Sequence, residues 1–182
     1  MCCNKTIEYT VIPSGSYAVL RGCAGCGRKA RFESTEKFRV NANGGRLDVW
    51  LIYACAHCGH TYNLPIFERV RVSDLSPEQY ARCLENDSAL ALEYGTNRSC
   101  FARARAETDG VPPFTLTGPN TRPLCGDRVH ILNPHRLALR PDKLVAQLLG
   151  LSRTKLRVLE KSGALVFWPD GAGGFSFVCP EI

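Results

Sequence analysis

Two Cys-x-x-Cys pairs, Cys23-Ala24-Gly25-Cys26 and Cys55-Ala56-His57-Cys58, are each followed by a glycine, Gly27 and Gly59. A Cys-x-x-Cys turn aims two thiolates at one point, and the trailing glycine lets backbone amides close around the sulfurs. Two such knuckles supply the four soft ligands of a tetrahedral Zn²⁺ at Zn–S distances of about 2.3 Å. With Cys23, Cys26, Cys55 and Cys58 filling every position, none is left for water or substrate. The expected zinc, one per chain, is therefore structural rather than catalytic. The 28 residues between the knuckles exceed the roughly 15–20 of common four-cysteine sites, so the intervening segment is expected to carry an extra excursion. The competing readings are free or disulfide-linked cysteines, and a redox pair. The last is disfavoured because neither motif opens a helix within a βαβ pattern.

Other reactive side chains form no catalytic pattern. His57 and His60 lie beside the second knuckle, where either could replace a cysteine ligand or stand exposed in the turn. His130 and His135 flank a short apolar segment. No glycine-rich phosphate loop, Ser-His-Asp order or paired-carboxylate arrangement occurs. Glu36 and Asp48, between the knuckles, are the acidic residues nearest to a site, and structural hydrogen bonding accounts for them. No enzymatic activity is expected.

The elements that must position the cysteines are strands. Residues 16–72 read as β: Ser16–Gly22 and Arg28–Phe32 flank the first knuckle, while 47–53 and 60–72 flank the second. On the second of these hairpins Leu47, Val49, Leu51 and Tyr53 share one face, and Trp50 and Ile52 share the other. With both faces apolar, a central strand covered on both sides is expected. Pro65 cannot donate to a ladder and pushes its strand to an edge or a bulge, and Asn41-Ala42-Asn43-Gly44-Gly45 marks a turn.

From Ser76 the period lengthens. Ser76-Pro77-Glu78-Gln79 combines an N-cap, a first-turn proline and a capping-box glutamine, opening a helix over 77–85. Asp87 or Ser88 caps a second that stops at Gly95, and 99–107 makes a third. These helices are expected to cover the Trp50 face. The proline-rich stretch 109–123 reads as a linker. Beyond it come a strand near 129–132, helices over Pro141–Leu149 and Arg153–Lys161, and a hairpin of 165–168 with 175–178 around Pro169-Asp170-Gly171. The fold class is thus α+β. It comprises a zinc-ribbon domain (1–72), a helical segment (73–108), a linker (109–123) and a small αα-β-hairpin domain (124–182).

Composition fits such small pieces. The 182-residue chain is 45% hydrophobic, above the range of disordered chains. Cys2, Cys3, Cys83, Cys100, Cys125 and Cys179 show no regular spacing, the first twenty residues lack a signal-peptide core, and no run approaches the ~18 apolar residues of a membrane span. A reducing cytoplasm is the expected compartment, with no membrane partner. Residues 1–70 carry a net charge of +4, residues 71–120 of −2 and residues 121–182 of +4. Two basic ends suit a polyanion.

The stretch Arg140-Pro141-Asp142-Lys143-Leu144-Val145-Ala146-Gln147-Leu148-Leu149-Gly150-Leu151-Ser152-Arg153, with Gly163 eleven residues after Ser152, resembles the S4 RNA-binding domain. That signature runs Arg-Leu-Asp-Lys, a leucine-rich turn, Ser-Arg and a later glycine. It departs at Pro141, where leucine is usual, and in its shortened C-terminal strands. From about Pro13 onward the chain also resembles a bacterial family known as domain of unknown function 1062. Phe38-Arg39-Val40-Asn41-Ala42-Asn43-Gly44 and 47–53 carry that likeness, which brings no activity with it.

The S4 resemblance implies binding of structured RNA, such as ribosomal RNA or tRNA, through the second helix. Arg153, Arg157 and Lys161 at i, i+4 and i+8 form a basic stripe roughly 130° round the cylinder from Leu156 and Leu159, and Arg140 and Lys143 extend it. A helix-turn-helix over 144–161 reading DNA is the alternative; a winged helix would also use the closing hairpin. Lys37, Phe38 and Arg39 offer a second surface with base-stacking and phosphate-binding chemistry. A third possibility is an adaptor docking on a ribosomal or other protein partner.

Overall fold

Alternation of apolar and polar side chains is the strongest local signal between residues 6 and 71. In the computed structural model, which describes residues 5–181, it gives five strands. They are β1 (Thr6–Pro13), β2 (Ala18–Cys23), β3 (Arg28–Asn43), β4 (Arg46–Cys55) and β5 (Thr61–Arg71). The chain divides into two compact units, residues 13–113 and residues 1–12 with 114–182. The architecture is mixed α+β and strand-rich, 39% strand against 25% helix. Met1–Asn4, which include Cys2 and Cys3 and open the segment expected over 1–72, lie outside the described residues, as does Ile182.

In the 13–113 unit the sheet runs β5-β4-β3-β2-β6, where β6 is Glu107–Asp109. All its pairings are antiparallel. Gly44 and Gly45, at φ of 57° and 78°, close β3 onto β4 in the left-handed geometry that a two-residue hairpin demands. Pro65 lies on the edge strand β5 and faces Trp50, beside a register irregularity. The long spacing between knuckles is not a loop. β3 runs for 16 residues through it and absorbs the surplus in a bulge: Ser34 pairs with Tyr53 but Phe38 with Leu51. Three features hold that bulge. Glu36 adopts φ 59°, Thr35 Oγ1 donates to the Ile52 carbonyl (2.9 Å), and the Phe38 amide donates to Asn86 Oδ1 (2.7 Å).

Three helices follow, α1 (Pro77–Leu84), α2 (Ser88–Thr96) and α3 (Arg98–Arg103), with Ser76, Asp87 and Asn97 as side-chain caps. Their aromatic side chains meet Phe38, Tyr53 and Phe67 edge-on: Phe38–Tyr94 at 6.2 Å, Phe67–Tyr94 at 5.9 Å and Tyr53–Phe101 at 6.3 Å between ring centroids. The helices therefore cover the Leu47–Val49–Leu51–Tyr53 face. The expectation that they cover the Trp50 face, and that β4 is sealed on both sides, is corrected, because Trp50 and Ile52 are only half-buried. The third helix ends at Arg103 rather than at residue 107. Arg105 turns the chain at φ 50°, and Glu107–Asp109 pairs along β2 instead. Ion pairs from Lys29 to Glu107 and from Arg31 to Asp109 fasten that edge.

The second unit is built on β1. It pairs in parallel with β8 (Arg128–Leu132), from Thr6 opposite Arg128 to Thr10 opposite Leu132. The sheet runs β7-β1-β8-β10-β9, with β7 at Phe114–Thr117, β9 at Trp168–Pro169 and β10 at Phe175–Val178. The segment 109–123 is thus not a bare linker, since it ends β6 and contains β7. Nor do residues 124–182 form a unit by themselves, since β1 lies within this sheet. Buried Asp127 ties the ends together by accepting from the backbone amides of Lys5 (3.0 Å) and Leu124 (2.9 Å). The Leu124 and Lys5 amides hold its carboxyl below the usual carboxylate range. Between β8 and β9 lie α4 (Pro141–Leu149) and α5 (Arg153–Lys161), which bury Leu144, Val145, Leu149 and Leu156. The hairpin strand expected over 165–168 is shortened because the Leu165 amide bonds back to the Leu159 carbonyl (3.1 Å). Among the described residues no helix is long and apolar enough to cross a membrane.

This packing makes two mutational outcomes predictable. At Gly95 a β-carbon would lie 2.5 Å from Ser16 Cβ and 3.5 Å from Ser16 Cα, while the Gly95 carbonyl accepts from the Tyr17 amide (2.8 Å). Ala normally gains about 1 kcal/mol over Gly inside a helix. Here Gly95→Ala reverses that sign and costs about 1–3 kcal/mol by overpacking, read by urea unfolding, and Ser16→Gly restores part of the loss. Separately, a fragment of residues 124–182 shows no cooperative unfolding transition by circular dichroism, because β8 lacks β1.

Candidate metal centre and nucleic-acid interface

The strand order places the β2–β3 and β4–β5 hairpin turns at the same end of one sheet. Each knuckle is closed by a matching backbone bond, Gly27 N–H to the Cys23 carbonyl (2.8 Å) and Gly59 N–H to the Cys55 carbonyl (2.9 Å). Both glycines take positive φ, 65° and 73°. Pairing of Phe32 with Cys55 and the bond from the Ala56 amide to the Arg31 carbonyl (2.9 Å) bring the second knuckle against the first. The result is a cluster of four sulfurs.

Cys23 Sγ lies 3.4 Å from Cys58 Sγ, and Cys26 Sγ lies 3.8 Å from Cys55 Sγ. All four sulfurs fall within 4.8 Å of one another. These separations far exceed the roughly 2.05 Å of a disulfide. They match the edge of a tetrahedron, about 3.8 Å, set by metal–sulfur bonds of about 2.3 Å. The donor set fits a single structural metal ion. Gly25 belongs to the site too, since a β-carbon there would lie 2.9 Å from Cys58 Sγ; its signal in the sequence is a glycine inside the first knuckle. Cys23 and Cys55 are buried, while Cys58 faces solvent. The backbone amides of Cys58 and His57 lower the Cys55 thiol to about 7. Cys26, sharing hydrogen bonds foremost with Cys58, is pushed up to about 12. His57 and His60 are exposed, and the four-sulfur group contains neither.

The basic residues fall into two sets. On α5, Arg153, Arg157 and Lys161 are exposed while Leu156 is buried and Leu159 half-buried. Thr154, Lys155 and Val158 complete the exposed arc, and Val158 is 60% exposed. The pattern of charges in the sequence does not by itself select those three. Lys143 is exposed on α4. Arg140 is exposed but engaged by Asp142, at 2.7 and 3.2 Å. In the other unit Lys37 and Arg39 are exposed, and the Arg39 guanidinium stands 6.0 Å from the Trp50 ring centroid. Phe38, expected to stack on bases, is buried at 8% exposure against Tyr94. Pairing with Leu51 turns its ring to the core face, so the second surface loses its aromatic group.

Elemental analysis of the purified protein is expected to give one metal ion per chain. Cys23→Ser or Cys55→Ser removes it and abolishes the thermal transition of the 13–113 unit, since binding at such sites is worth on the order of 10 kcal/mol. Gly25→Ala, which keeps all four ligands, weakens metal retention in a chelator competition.

The family model described as Protein of unknown function (DUF1062) matches residues 40–170. That stretch holds Cys55, Cys58 and every helix from α1 to α5, and leaves out Cys23 and Cys26. No curated protein and no solved structure matches the chain. With well over half of its length matched, the chain belongs to the DUF1062 family.

Proposed function

We propose that this is a zinc-stabilised nucleic-acid-binding protein without catalytic activity, and that α5 is the helix it lays on duplex DNA. Four thiolates at tetrahedral spacing are a soft donor set that suits zinc, and the ion holds the 13–113 sheet together. The observation that carries the DNA reading is the order of elements around α5. Strand β8 precedes the two helices, Gly150 turns α4 into α5, and the β9–β10 hairpin then returns beside β8. That order is the one a helix-turn-helix followed by a wing would have, and it supports the DNA reading. A helix so placed enters the major groove with its N-terminal residues toward base edges. Arg153, Arg157, Lys161 and Lys143 hold phosphates, and Thr154, Lys155 and Val158 face the bases.

Structured RNA is the second reading, favoured by the interval from Ser152 to Gly163 that resembles S4. Against it stands the pairing of β10 with β8, which brings the closing hairpin beside the strand that precedes the two helices. A ribosomal or other protein partner on an apolar interface is a third, and it would respond little to salt.

Replacing Arg153, Arg157 and Lys161 together with glutamate is expected to leave the fold intact, because all three are exposed. Duplex affinity falls, and the slope of log affinity against log salt shrinks by roughly 0.9 for each phosphate that is no longer neutralised. Leu156→Ala instead destabilises by about 2–5 kcal/mol. Stronger binding of structured RNA than of duplex DNA at one salt concentration reverses the choice of ligand. Indifference of both ligands to the triple reversal removes the site.

A further inference from the structure

We infer that Arg122 is a further phosphate-binding residue of the α5 interface, its guanidinium laid over the α4–α5 turn at Gly150. This rests on the nucleic-acid reading of α5. Gly150 ends α4 at φ 65°, ψ 34°, a left-handed position that already favours glycine. A second constraint acts there. A β-carbon on Gly150 would lie 3.1 Å from Arg122 Cζ and 3.4 Å from its Nη1, with Nη2 closer still. The bare turn is the surface on which this guanidinium rests.

The backbone on both sides of Arg122 is anchored. The Tyr9 hydroxyl donates to the Thr121 carbonyl (3.1 Å). Pro123 is buried, and the Leu124 amide donates to Asp127 Oδ2 (2.9 Å). Arg122 itself is exposed, and among the described residues it forms no ion pair. Arg140, the cation that the sequence places on this approach, differs. Asp142 neutralises it at 2.7 Å, and the field of Asp142 extends to Arg153 as well. Arg122 thus brings an uncompensated, pre-positioned charge to the junction from which α5 starts. A planar guanidinium in that position is suited to a phosphodiester oxygen pair, and it contributes affinity without sequence preference.

The test uses the full-length, metal-loaded protein and a random-sequence DNA duplex, followed by fluorescence anisotropy across a salt series. Arg122→Gln is expected to bind roughly tenfold more weakly at low salt. Its salt slope should fall by about 0.9, with the melting temperature unchanged, and Arg122→Lys should retain most of that slope. An unchanged slope overturns the inference. If the melting temperature also drops, Arg122 serves only to cap the α4 carbonyls. Loss of binding in the Arg153/Arg157/Lys161 triple variant, with Arg122→Gln like wild type, leaves the α5 reading standing and removes Arg122 alone. Absence of salt-dependent duplex binding by the wild type sinks the DNA reading and this inference with it.

Discussion

Four sulfurs must converge on a volume of a few ångströms, and the geometry of the 13–113 unit answers to that demand. Two hairpin turns from non-adjacent parts of the chain have to reach the same end of one sheet. Strands β2, β3, β4 and β5 therefore lie side by side in antiparallel order. Any slip in the β3–β4 register would move the second knuckle by a whole residue repeat, about 3.4 Å, comparable with the sulfur separations themselves. The bulge between Ser34 and Phe38 matters for that reason. It shifts the register on the far side of the sheet while Phe32 stays opposite Cys55.

The same bulge links the ribbon to its helical cover. Its Phe38 amide is bonded by Asn86, which sits between α1 and α2 at φ 58°, and the Phe38 ring meets Tyr94 of α2. From the other end of the core, Phe101 of α3 stacks edge-on against both Tyr17 and Tyr53. Aromatic pairs of this kind add about 0.5–1.5 kcal/mol each beyond their buried area. The sulfur cluster and the helices consequently act on one sheet, with the sulfurs at one end of it and the ring contacts at its middle.

Local chemistry is legible in the residues, and distant pairing is not. The cysteine knuckles, the Gly44-Gly45 turn, the Ser76 and Asp87 caps, and the bounds of α4 and α5 all rest on neighbours within a few positions. β1 escapes a reading of the sequence because its partner β8 lies more than a hundred residues away, and nothing in Thr6–Pro13 announces which strand it will meet. Phe38 looks like a surface residue because it stands between Lys37 and Arg39, and only the register with Leu51 shows that its ring turns inward. The third helix is shorter than its sequence suggests. The sequence reads as helix over 99–107, whereas the chain turns at Arg105 and Glu107 joins the open edge of β2. Arg140 reads as a free cation in the sequence, yet Asp142, two residues on, holds it.

The parallel pairing of β1 with β8 has a consequence for synthesis. β1 leaves the ribosome ahead of β8, which follows only after the whole 13–113 unit has been made. That unit behaves as an insertion within its host, and its two ends are joined by the bond from the Ser14 amide to the Pro113 carbonyl (2.9 Å). Closing a flexible loop of about a hundred residues costs about 4 kcal/mol of chain entropy. Once the insertion has folded, most of that cost has been met by its own packing. The nascent chain then presents β1 and β7 as though they were a short-range hairpin awaiting the rest of their sheet. Folding of the 13–113 unit would thereby set the pace at which the sheet that carries α4 and α5 is completed.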